Sequence, residues 1–345
     1  MFSFVRPVLA RLDPERAHRL TVRALSLLPA RTSAASNPQL AITVAGLRFA
    51  NPLGMAAGFD KDAEVPAQLF GLGFGFVEIG SLTPQPQAGN PQPRLFRLHE
   101  DGAVINRMGF NNCGAAAAAA RIAALRARGP LAGPLGINIG ANKDSADRVA
   151  DYRLMAQAMA PLADYLAVNI SSPNTPGLRA LQDEGALTGL LDAVVEGRGA
   201  HRTPIFLKVA PDLETADIDA IARIALDRRL DALIVANTTV SRPALRSRHA
   251  DETGGLSGAP LKALALQTLR SFRRATGGAI PLVGVGGIAT AADAWERIRA
   301  GASLVQLYSA LVYGGPGLPR RMLREIEAMM RRDGFSSVAE AVGSE

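Results

Sequence analysis

The sequence predicts an α/β protein of the (β/α)8 TIM-barrel class with a small helical extension at its N-terminus. Eight short apolar runs follow one another without alternating polar and apolar residues, as is typical of strands covered on both faces. Helical segments separate most of these runs, which favours parallel strands joined by helices. The 345 residues suffice for one barrel of about 250 residues with additions. A doubly wound sheet is the second choice.

The predicted strands begin after residue 51. They are the runs Leu53–Phe59, Phe74–Ser81, Leu135–Ala141, Tyr165–Ser171, Ile205–Ala210, Ala232–Thr239, Leu282–Gly287 and Leu304–Ala310. The clearest helical segments between them are Ala115–Arg128, Tyr152–Leu162, Ala216–Arg228, Leu261–Arg274 and Ala291–Arg299.

Composition excludes several classes of protein. Apolar residues make up 48% and charged residues 20%, which excludes a disordered or fibrous chain. The single cysteine, Cys113, cannot form an internal disulfide and fits a reducing compartment. The four histidines are scattered without metal-ligand spacing, so we expect no metal site.

The net charge of +7 is concentrated near the N-terminus. Residues 1–31 hold six arginines and two acidic residues, a net charge of +4. Such a local patch argues against a nucleic-acid-binding face. No apolar stretch there approaches the roughly 20 residues that a transmembrane helix needs.

Residues 1–31 are predicted to form two short amphipathic helices. The first spans Phe2–Leu12, and the second begins at Asp13, an N-cap followed by Pro14, and runs to about Leu28. The pair could simply pack on the main domain. Alternatively, it could anchor the protein at a membrane surface, with apolar side chains inserted and arginines at the headgroups.

Two connections are longer than a plain barrel requires. Residues 82–134 contain a proline-rich stretch and the pair Asp101-Gly102, which predicts a hairpin. Residues 240–260 are polar and glycine-rich, and we predict a mobile lid there. Long loops in a compact domain are usually functional.

Polar residues collect where the predicted strands end, which is where barrel active sites lie. Asparagine or lysine ends five of the eight strands, at Lys61, Asn138, Asn169, Lys208 and Asn237. Asparagine both donates and accepts hydrogen bonds. The site therefore suits a flat ligand with many hydrogen-bonding edges, such as a nucleobase-like ring.

The last two strand ends predict a phosphate site. The run Gly284–Gly287 precedes a helix, and backbone N–H groups with a helix N-terminus bind anions. Gly258, Tyr308 and Ser309 could complete it. The same glycines fit a dinucleotide-binding fingerprint, but the next strand ends without the acid that a ribose requires, so we reject that alternative.

Three further residues are candidates for chemistry. Lys61 could pair with a substrate carboxylate or form a surface salt bridge with Asp60. Lys208 ends an apolar strand and needs a partner, which a cofactor that becomes anionic would supply. Ser172 could be a base or part of an exposed loop, and a serine base needs a proton acceptor or a water behind it.

Seven motifs together give the chain a recognisable resemblance. They are Ala56-Ala-Gly-Phe-Asp-Lys61, Asn106-Arg-Met-Gly-Phe-Asn-Asn112, Gly136-Ile-Asn-Ile-Gly140, Asn169-Ile-Ser-Ser-Pro-Asn-Thr-Pro-Gly-Leu-Arg179, Asn237-Thr-Thr239, Gly254-Gly-Leu-Ser-Gly258 and Gly284-Val-Gly-Gly-Ile288. With them, nearly the whole chain resembles the class 2, quinone-dependent dihydroorotate dehydrogenases.

This resemblance implies a flavoprotein oxidoreductase, with one FMN per chain, that oxidises dihydroorotate to orotate in pyrimidine synthesis. The residues matched to FMN contacts are Ala57, Gly58, Phe59, Asp60, Lys61, Ser81, Asn138, Asn169, Lys208, Ala236, Gly258, Gly287, Tyr308 and Ser309. Those matched to orotate contacts are Lys61, Asn106, Arg107, Met108, Gly109, Phe110, Asn169, Asn174, Asn237 and Thr238. Ser172 matches the catalytic base, and Thr175 lies near the proton exit.

Two features of the resemblance assign the class. Class 1 relatives use cysteine as the base and lack the N-terminal helical pair. In class 2 this pair lies on the membrane and frames the quinone tunnel, whose route to the flavin matches His18, Arg97 and Tyr308. Ser81 and Ala236 stand where many relatives have threonine; Ala236 can offer only its backbone to FMN.

The resemblance also implies an organisation and a location. We expect residues 1–31 to be the membrane and quinone-tunnel segment, 40–333 the FMN-binding catalytic barrel, and 334–345 a C-terminal tail. We further expect a monomer, bound peripherally to the cytoplasmic side of the cell membrane through its anionic surface, with a membrane quinone as electron acceptor.

Two other classes of protein are weighed against this prediction. A tRNA-dihydrouridine synthase is also a flavin barrel with a nucleobase site, but it needs a basic face and an RNA-binding domain that this sequence does not predict. A non-catalytic membrane-surface protein would explain residues 1–31 but not the polar strand ends.

Overall fold

A closed barrel of eight parallel strands forms the centre of the protein. The computed structural model describes residues 11–29, 37–175 and 177–345. The barrel strands neighbour one another in chain order: β3 (Leu53–Met55), β4 (Phe76–Leu82), β7 (Leu135–Ile139), β8 (Tyr165–Asn169), β9 (Ile205–Val209), β10 (Ala232–Val235), β12 (Leu282–Val285) and β13 (Ala302–Leu307). Each strand lies in or overlaps a predicted run. Because β13 pairs with β3, the barrel prediction is confirmed and the doubly wound sheet is excluded.

Nine helices among the described residues follow or flank these strands. They are α2 (Pro66–Gly71), α3 (Gly114–Arg126), α4 (Arg148–Met159), α5 (Glu184–Arg198), α6 (Thr215–Asp227), α7 (Lys262–Ala275), α8 (Ala291–Arg299), α9 (Ser309–Gly314) and α10 (Leu318–Arg332). The five predicted segments match α3, α4, α6, α7 and α8. The largest difference is at α4, which begins at Arg148 because Asp147 caps it by accepting a hydrogen bond from the N–H of Ala150.

Two small antiparallel sheets lie outside the barrel. One pairs β1 (Ile42–Val44) with β2 (Leu47–Phe49). The other, called the cap sheet here, orders β5 (Leu95–Leu98), β6 (Ala103–Asn106) and β11 (Gly255–Gly258) as β11-β6-β5. The hairpin predicted at Asp101-Gly102 joins β5 to β6, and Gly102 has the positive φ of 57° that its turn requires.

Part of residues 240–260, predicted as a mobile lid, is a strand of the cap sheet. Their last part forms β11, which pairs with β6 from Gly255 opposite Asn106 to Gly258 opposite Ala103. The sequence did not predict this strand, because its four residues include two glycines and a serine. At least this part of the predicted lid is therefore an ordered element of the cavity wall.

The N-terminal helix α1 (Pro14–Ser26) packs on the barrel. Asp13 caps it as predicted, since its side chain accepts a hydrogen bond from the N–H of Arg16, and the helix ends two residues before the predicted Leu28. Ala17, Val22 and Leu25 are buried. The helix predicted at Phe2–Leu12 lies outside the described residues except for its last two positions.

Three leucines on α1 or just after it are exposed, beside the exposed arginines Arg16, Arg19 and Arg23. Leu20 is 48% exposed, Leu27 85% and Leu28 54%. No helix within the described ranges is both long and apolar enough to span a bilayer. At the other end of the chain, Val338 and Ala341 are buried, and the N–H of Val338 donates to the carbonyl of Gln39 at 2.9 Å.

Candidate active site

One large cavity of about 1130 Å³ lies at the carboxyl ends of the barrel strands, between the barrel, the cap sheet and α1. Nearly all of the predicted site residues line it: His18, Ala57, Gly58, Phe59, Lys61, Ser81, Arg97, Asn106, Met108, Gly109, Phe110, Asn169, Ser172, Asn174, Lys208, Ala236, Asn237, Thr238, Gly258, Gly287, Tyr308 and Ser309. Three predicted residues, Asp60, Arg107 and Asn138, are not part of its lining.

A hydrogen-bonded network of amides and hydroxyls forms part of the floor. The Ser81 hydroxyl donates to Asn138 Oδ1. Asn169 Nδ2 donates to Ser81 Oγ at 3.1 Å and to Asn138 Oδ1 at 3.2 Å, and Asn237 Nδ2 donates to Asn169 Oδ1 at 3.2 Å. Asn138 therefore lies behind the lining and orients the side chains that form it.

Below this network, a carboxylate that sequence reasoning missed lies in the barrel interior. Glu78, on β4, is fully buried. Its Oε1 accepts a hydrogen bond from Asn138 Nδ2 at 2.8 Å and lies 3.8 Å from the Lys208 ammonium. Its Oε2 accepts from the Tyr165 hydroxyl at 3.1 Å and from Gln306 Nε2 at 2.8 Å.

Glu78 gives Lys208 a partner that the sequence analysis did not anticipate. The predicted contact of this cation with an anionic cofactor stays a prediction, since Lys208 also lines the cavity. The signal that would have found Glu78 is the one used for Lys208, namely a charge inside an apolar run. Burial raises the pKa of Tyr165 well above its ordinary value, and the neighbouring Glu78 carboxylate raises it further.

The turn after β3 excludes one of the two interpretations of Lys61. Asp60 is buried and accepts hydrogen bonds from the N–H groups of Glu64 and Val65, each at 2.8 Å. Its side chain therefore fixes the turn, and a surface salt bridge with Lys61 is excluded. The Lys61 ammonium donates to the carbonyl of Gly58 at 3.0 Å. Burial lowers the pKa of Lys61 to about 8 and raises that of Asp60 to about 6.

The predicted phosphate end is a glycine-lined cradle. A Cβ on Gly287 would come within 2.3 Å of Lys262 Cα, and one on Gly258 within 2.4 Å of the carbonyl oxygen of Gly102. No described residue accepts a hydrogen bond from the N–H of Gly286 or Gly287. The Ser309 hydroxyl lies 2.7 Å from that of Ser257.

The helix after this cradle begins with a capping box. The side chain of Thr290 accepts from the N–H of Asp293, and Asp293 Oδ2 accepts from the N–H groups of Ala289 and Thr290 at 3.0 and 2.8 Å. Among the N–H groups of α8 itself, the box occupies that of Asp293. The contribution of this helix N-terminus to phosphate binding therefore stays a prediction, beside the glycine loop and Ser309.

The segment after β8 places a serine in a protected position. Ser172 is only 5% exposed, which excludes the exposed-loop alternative, and its Oγ accepts a hydrogen bond from the N–H of Asn174 at 3.3 Å. Thr175 is also buried, and its hydroxyl has no hydrogen-bond partner among the described residues.

An arginine that the sequence analysis left without a role ties this segment to its neighbours. Arg179 donates from Nε to the carbonyl of Ser171 at 3.2 Å and from Nη2 to that of Thr238 at 3.1 Å. Its Nη1 pairs with Asp212 at 3.0 Å. Partial burial raises the pKa of Asp212, but hydrogen bonds from the Thr239 hydroxyl and the Val240 N–H, together with the Arg179 cation, lower it overall. The loops after β8, β9 and β10 are therefore held together.

The cap sheet contributes the opposite wall. Asn174 Nδ2 donates to Asn106 Oδ1 at 3.2 Å, so these two predicted substrate residues face each other. Arg107 turns away from the cavity. Its guanidinium pairs with Glu252 at 2.7 Å and lies 4.6 Å from the ring centroid of Phe96. The structure therefore places Arg107 as a link between β6 and the 240–254 segment.

The mouth of the cavity is aromatic and apolar. The His18 ring lies edge-on to Phe59 at 5.2 Å and tilted towards Tyr308 at 6.3 Å. Burial and the nearby Lys61 charge lower the pKa of His18 to about 3, so this ring is neutral. The Arg97 guanidinium donates to the carbonyl of Leu12, which joins the cap sheet to the start of α1.

The described residues contain no group of three or more His, Cys, Asp or Glu side chains that could hold a metal ion. The donors around the cavity are amides, hydroxyls, two ammonium groups and backbone N–H groups. These donors suit a ligand with a polar ring and a phosphate better than a metal.

Comparison with known proteins gives consistent matches. The sequence profile described as "Dihydroorotate dehydrogenase" matches residues 39–330. A protein of Erythrobacter litoralis named "Dihydroorotate dehydrogenase (quinone)" is 68% identical over all of both chains. One of the same name from Novosphingobium aromaticivorans is 66% identical over 100% of this chain and 99% of its own.

A solved structure of similar shape is the crystal structure of DHODH from Eimeria tenella in complex with ferulenol. It superposes with a TM-score of 0.93 at 39% identity and covers 99% of this chain and 98% of its own. The ligand-free form from the same organism has a TM-score of 0.91 at 40% identity and covers 96% of this chain and 99% of its own.

Proposed function

The chain belongs to the dihydroorotate dehydrogenase family, in its quinone-dependent class. From this premise we propose which of its residues bind the cofactor, the substrate and the membrane. The enzyme oxidises dihydroorotate to orotate, a step of pyrimidine biosynthesis, with a quinone as the electron acceptor. The finer assignments below concern the cofactor, the side chains and the membrane.

The proposed cofactor is FMN. Two features of the cavity fit it. In the glycine cradle beside Ser309, the N–H groups of Gly286 and Gly287 have no acceptor among the described residues. A phosphate bound there would accept hydrogen bonds from them. Below the other end, the buried Gln306 Oε1 has no partner in the described part of the chain and would accept from a ring N–H. When bound, FMN would accept the electrons of the substrate oxidation and pass them to the quinone.

Ser172 is proposed as the base that takes the proton from C5 of dihydroorotate. A serine hydroxyl is a weak base, so it needs a proton acceptor behind it. Thr175 is the candidate for relaying that proton towards solvent, because its buried hydroxyl has no partner among the described residues and can accept one proton while it gives up its own. The N–H of Asn174 holds Ser172 Oγ in place at 3.3 Å. Ser172 is only 5% exposed, so a relay of this kind would connect it to bulk water.

The remaining polar residues are proposed to orient the substrate. Lys61 would pair with its carboxylate, since the ammonium is desolvated and donates to only the Gly58 carbonyl. Asn106, Asn174 and Asn237 would bind the ring edges, because their amides lie on opposite walls of the same cavity. Lys208 would stabilise the negative charge that reduction places on the cofactor.

The mouth beside α1 is proposed as the quinone entrance. The cavity continues from Tyr308 past His18 to Leu20, Leu25 and Leu28 on α1 and just after it, and Leu20, Leu27 and Leu28 are exposed to solvent. Their exposure and the +4 charge of residues 1–31 support peripheral binding to an anionic membrane on the cytoplasmic side. We also propose that the protein acts as a monomer.

The observation that supports this assignment most directly is that a polar floor and an apolar mouth belong to one cavity. The purified protein should therefore be yellow, release FMN and not FAD on denaturation, and be bleached by dihydroorotate without oxygen. A colourless protein that takes up no FMN would overturn the cofactor proposal. Bleaching by a reduced nicotinamide but not by dihydroorotate would favour a tRNA-dihydrouridine synthase instead.

A deletion tests whether the barrel serves flavin reduction and α1 serves reoxidation by quinone. Deleting residues 1–31 should leave flavin reduction by dihydroorotate unchanged, which also shows that the barrel has folded. Reoxidation by a long-chain quinone should slow at least tenfold, and binding to anionic vesicles should fall. A truncated protein that keeps both properties would show that α1 only packs on the barrel.

A further inference from the structure

The Glu78–Lys208 pair is the one buried ion pair at the floor of the cavity among the described residues. Both side chains are almost fully buried, with 0% and 7% of their side-chain surfaces exposed. Lys208 lines the cavity, whereas Glu78 lies below the lining. One member of the pair therefore faces the cofactor site and the other does not.

The hydrogen bonds of Glu78 fix where its charge lies. Three donors from three different strands hold the two carboxylate oxygens: Asn138 of β7, Tyr165 of β8 and Gln306 of β13. Because two of its partners, Asn138 and Tyr165, are themselves fully buried, the carboxylate cannot turn towards the cavity without leaving them unpaired. Its distance from Lys208 is therefore set by the barrel.

Glu78 is the acid that contacts Lys208 within the described part of the chain. The two strands beside β9 add no other charged side chain here, since β8 is Tyr-Leu-Ala-Val-Asn and β10 is Ala-Leu-Ile-Val. Within these strands, the Coulomb attraction of Glu78 therefore acts on the Lys208 ammonium without a competing charge.

We propose that Glu78 is a positioning residue that holds the Lys208 ammonium at the cavity floor and offsets its charge, and that it thereby sets the reduction potential of the bound flavin. This inference rests on the FMN binding proposed above. Glu78 adds no group to the reaction itself. It offsets the Lys208 charge while the flavin is oxidised and leaves the ammonium available when reduction adds negative charge to the ring.

The test is Glu78→Gln, which keeps the shape of the side chain and one of its two acceptor oxygens but removes the charge. At constant pH the flavin potential of this variant should lie above the wild-type value, because the Lys208 charge is no longer offset. We expect a change of about tenfold in the ratio of affinities for reduced and oxidised FMN, or about 30 mV for two electrons.

Two variants isolate the pair. The potential changes of Glu78→Gln and Lys208→Met should not add in the double variant, because Glu78 acts through Lys208. Asp231→Asn removes a carboxylate that bonds the N–H of Ile205, at the opposite end of β9, and should leave the potential unchanged.

A second measurement needs no cofactor, so it separates this inference from the proposed function. The chain has only four lysines, and labelling them with carbon-13 at Cε gives at most four side-chain signals. The Lys208 signal is the one absent from Lys208→Met. At one fixed pH it should move in Glu78→Gln and stay in place in Asp231→Asn, because only the first variant removes its partner.

The outcomes are distinct. A Lys208 signal at the same position in wild type and Glu78→Gln would overturn the inference, whether or not FMN binds. So would additive potential changes in the double variant. If Glu78→Gln fails to fold, the double variant carries no unpaired charge, and a potential that differs from that of Lys208→Met by the full effect would still refute the proposal, because Glu78 would then act without Lys208.

Discussion

At the floor of the cavity, side chains are joined to one another by hydrogen bonds, whereas at its mouth they meet through apolar contacts. Ser81, Asn138, Asn169 and Asn237 form one connected network on the floor. At the mouth, His18, Phe59 and Tyr308 contact ring to ring, and α1 exposes leucines to the outside. The two regions belong to the same cavity but present opposite chemistry.

This difference shows how one cavity can serve two unlike reactants. Dihydroorotate is a polar ring that must be aligned within a few tenths of an ångström, and directional hydrogen bonds provide such alignment. A quinone with a long apolar tail needs a passage from the bilayer, and apolar contacts provide it without fixing an orientation. Changes at the floor should therefore affect flavin reduction, and changes at the mouth should affect reoxidation and membrane binding.

The largest expected effect comes from the floor. Ser172→Ala should slow flavin reduction by dihydroorotate by about 10²–10⁴-fold, the usual contribution of a general base. Stopped-flow bleaching of the flavin measures it. FMN content should not change, and Ser172→Cys should keep partial activity because a thiolate also takes a proton. A wild-type rate in Ser172→Ala would mean that Ser172 is only a loop residue.

The next effect belongs to the mouth. Replacing both Leu27 and Leu28 by serine should weaken vesicle binding by about 3 kcal/mol, or roughly a hundredfold, if both side chains enter the bilayer. Sedimentation with anionic vesicles measures this change, while the melting temperature should stay constant because both are exposed. Leu154→Ser is the matched control, since Leu154 is 51% exposed but lies on α4. Equal losses in both variants would contradict a membrane role for α1.

The effect of pH should also differ between the floor and the mouth of the cavity. Lys61 carries its charge below a pKa of about 8, so kcat/KM for dihydroorotate should fall above pH 8, by up to about tenfold per pH unit. The pKa of His18 is about 3, so the mouth gains no charge from it between pH 5 and 9. Lys61→Arg should remove the alkaline limb, because a guanidinium stays charged. If kcat/KM of Lys61→Arg still falls above pH 8, a group other than Lys61 causes the fall.

The smallest expected effect concerns how the two regions are joined. Glu15 on α1 makes a paired contact with Arg94, at 2.6 and 3.0 Å, beside the cap sheet. Glu15→Gln should cost about 1 kcal/mol of stability and raise the KM for quinone alone. The Arg19–Glu64 pair at 2.9 Å is more exposed, so Glu64→Gln should cost less than about 0.5 kcal/mol. Thermal unfolding of both variants distinguishes the pairs, and equal costs would contradict this ranking.

The barrel could be predicted from the sequence because its signals are local. Each strand is a buried run, and each predicted helix has an amphipathic or strongly helix-forming sequence. Most residues of the cavity lining could be predicted in the same way, because the strand ends meet at one face of a barrel. Asp13 and Pro14 likewise marked the start of α1 without any tertiary information.

The features that were missed depend on contacts between distant segments. The pairing of β11 with β6 joins residues about 150 positions apart. The directions of the Asp60 and Arg107 side chains are set by the turn at Val65 and by Glu252, which no motif encodes. The capping box at Thr290 and Asp293, by contrast, was readable from the sequence, because its two side chains lie three residues apart at the start of a predicted helix.

The cap sheet touches every ligand that the cavity is proposed to bind. Gly258 of β11 belongs to the phosphate cradle, Asn106 of β6 to the dihydroorotate site, and Arg97 of β5 to the quinone route. Three ligands thus share three hydrogen-bonded strands. Coupling free energies are reciprocal, so whatever bound FMN adds to the affinity for dihydroorotate or for quinone through this sheet, that ligand adds to the affinity for FMN. A compound that binds at the mouth and displaces β5 would therefore also loosen the cofactor at the far end of the cavity.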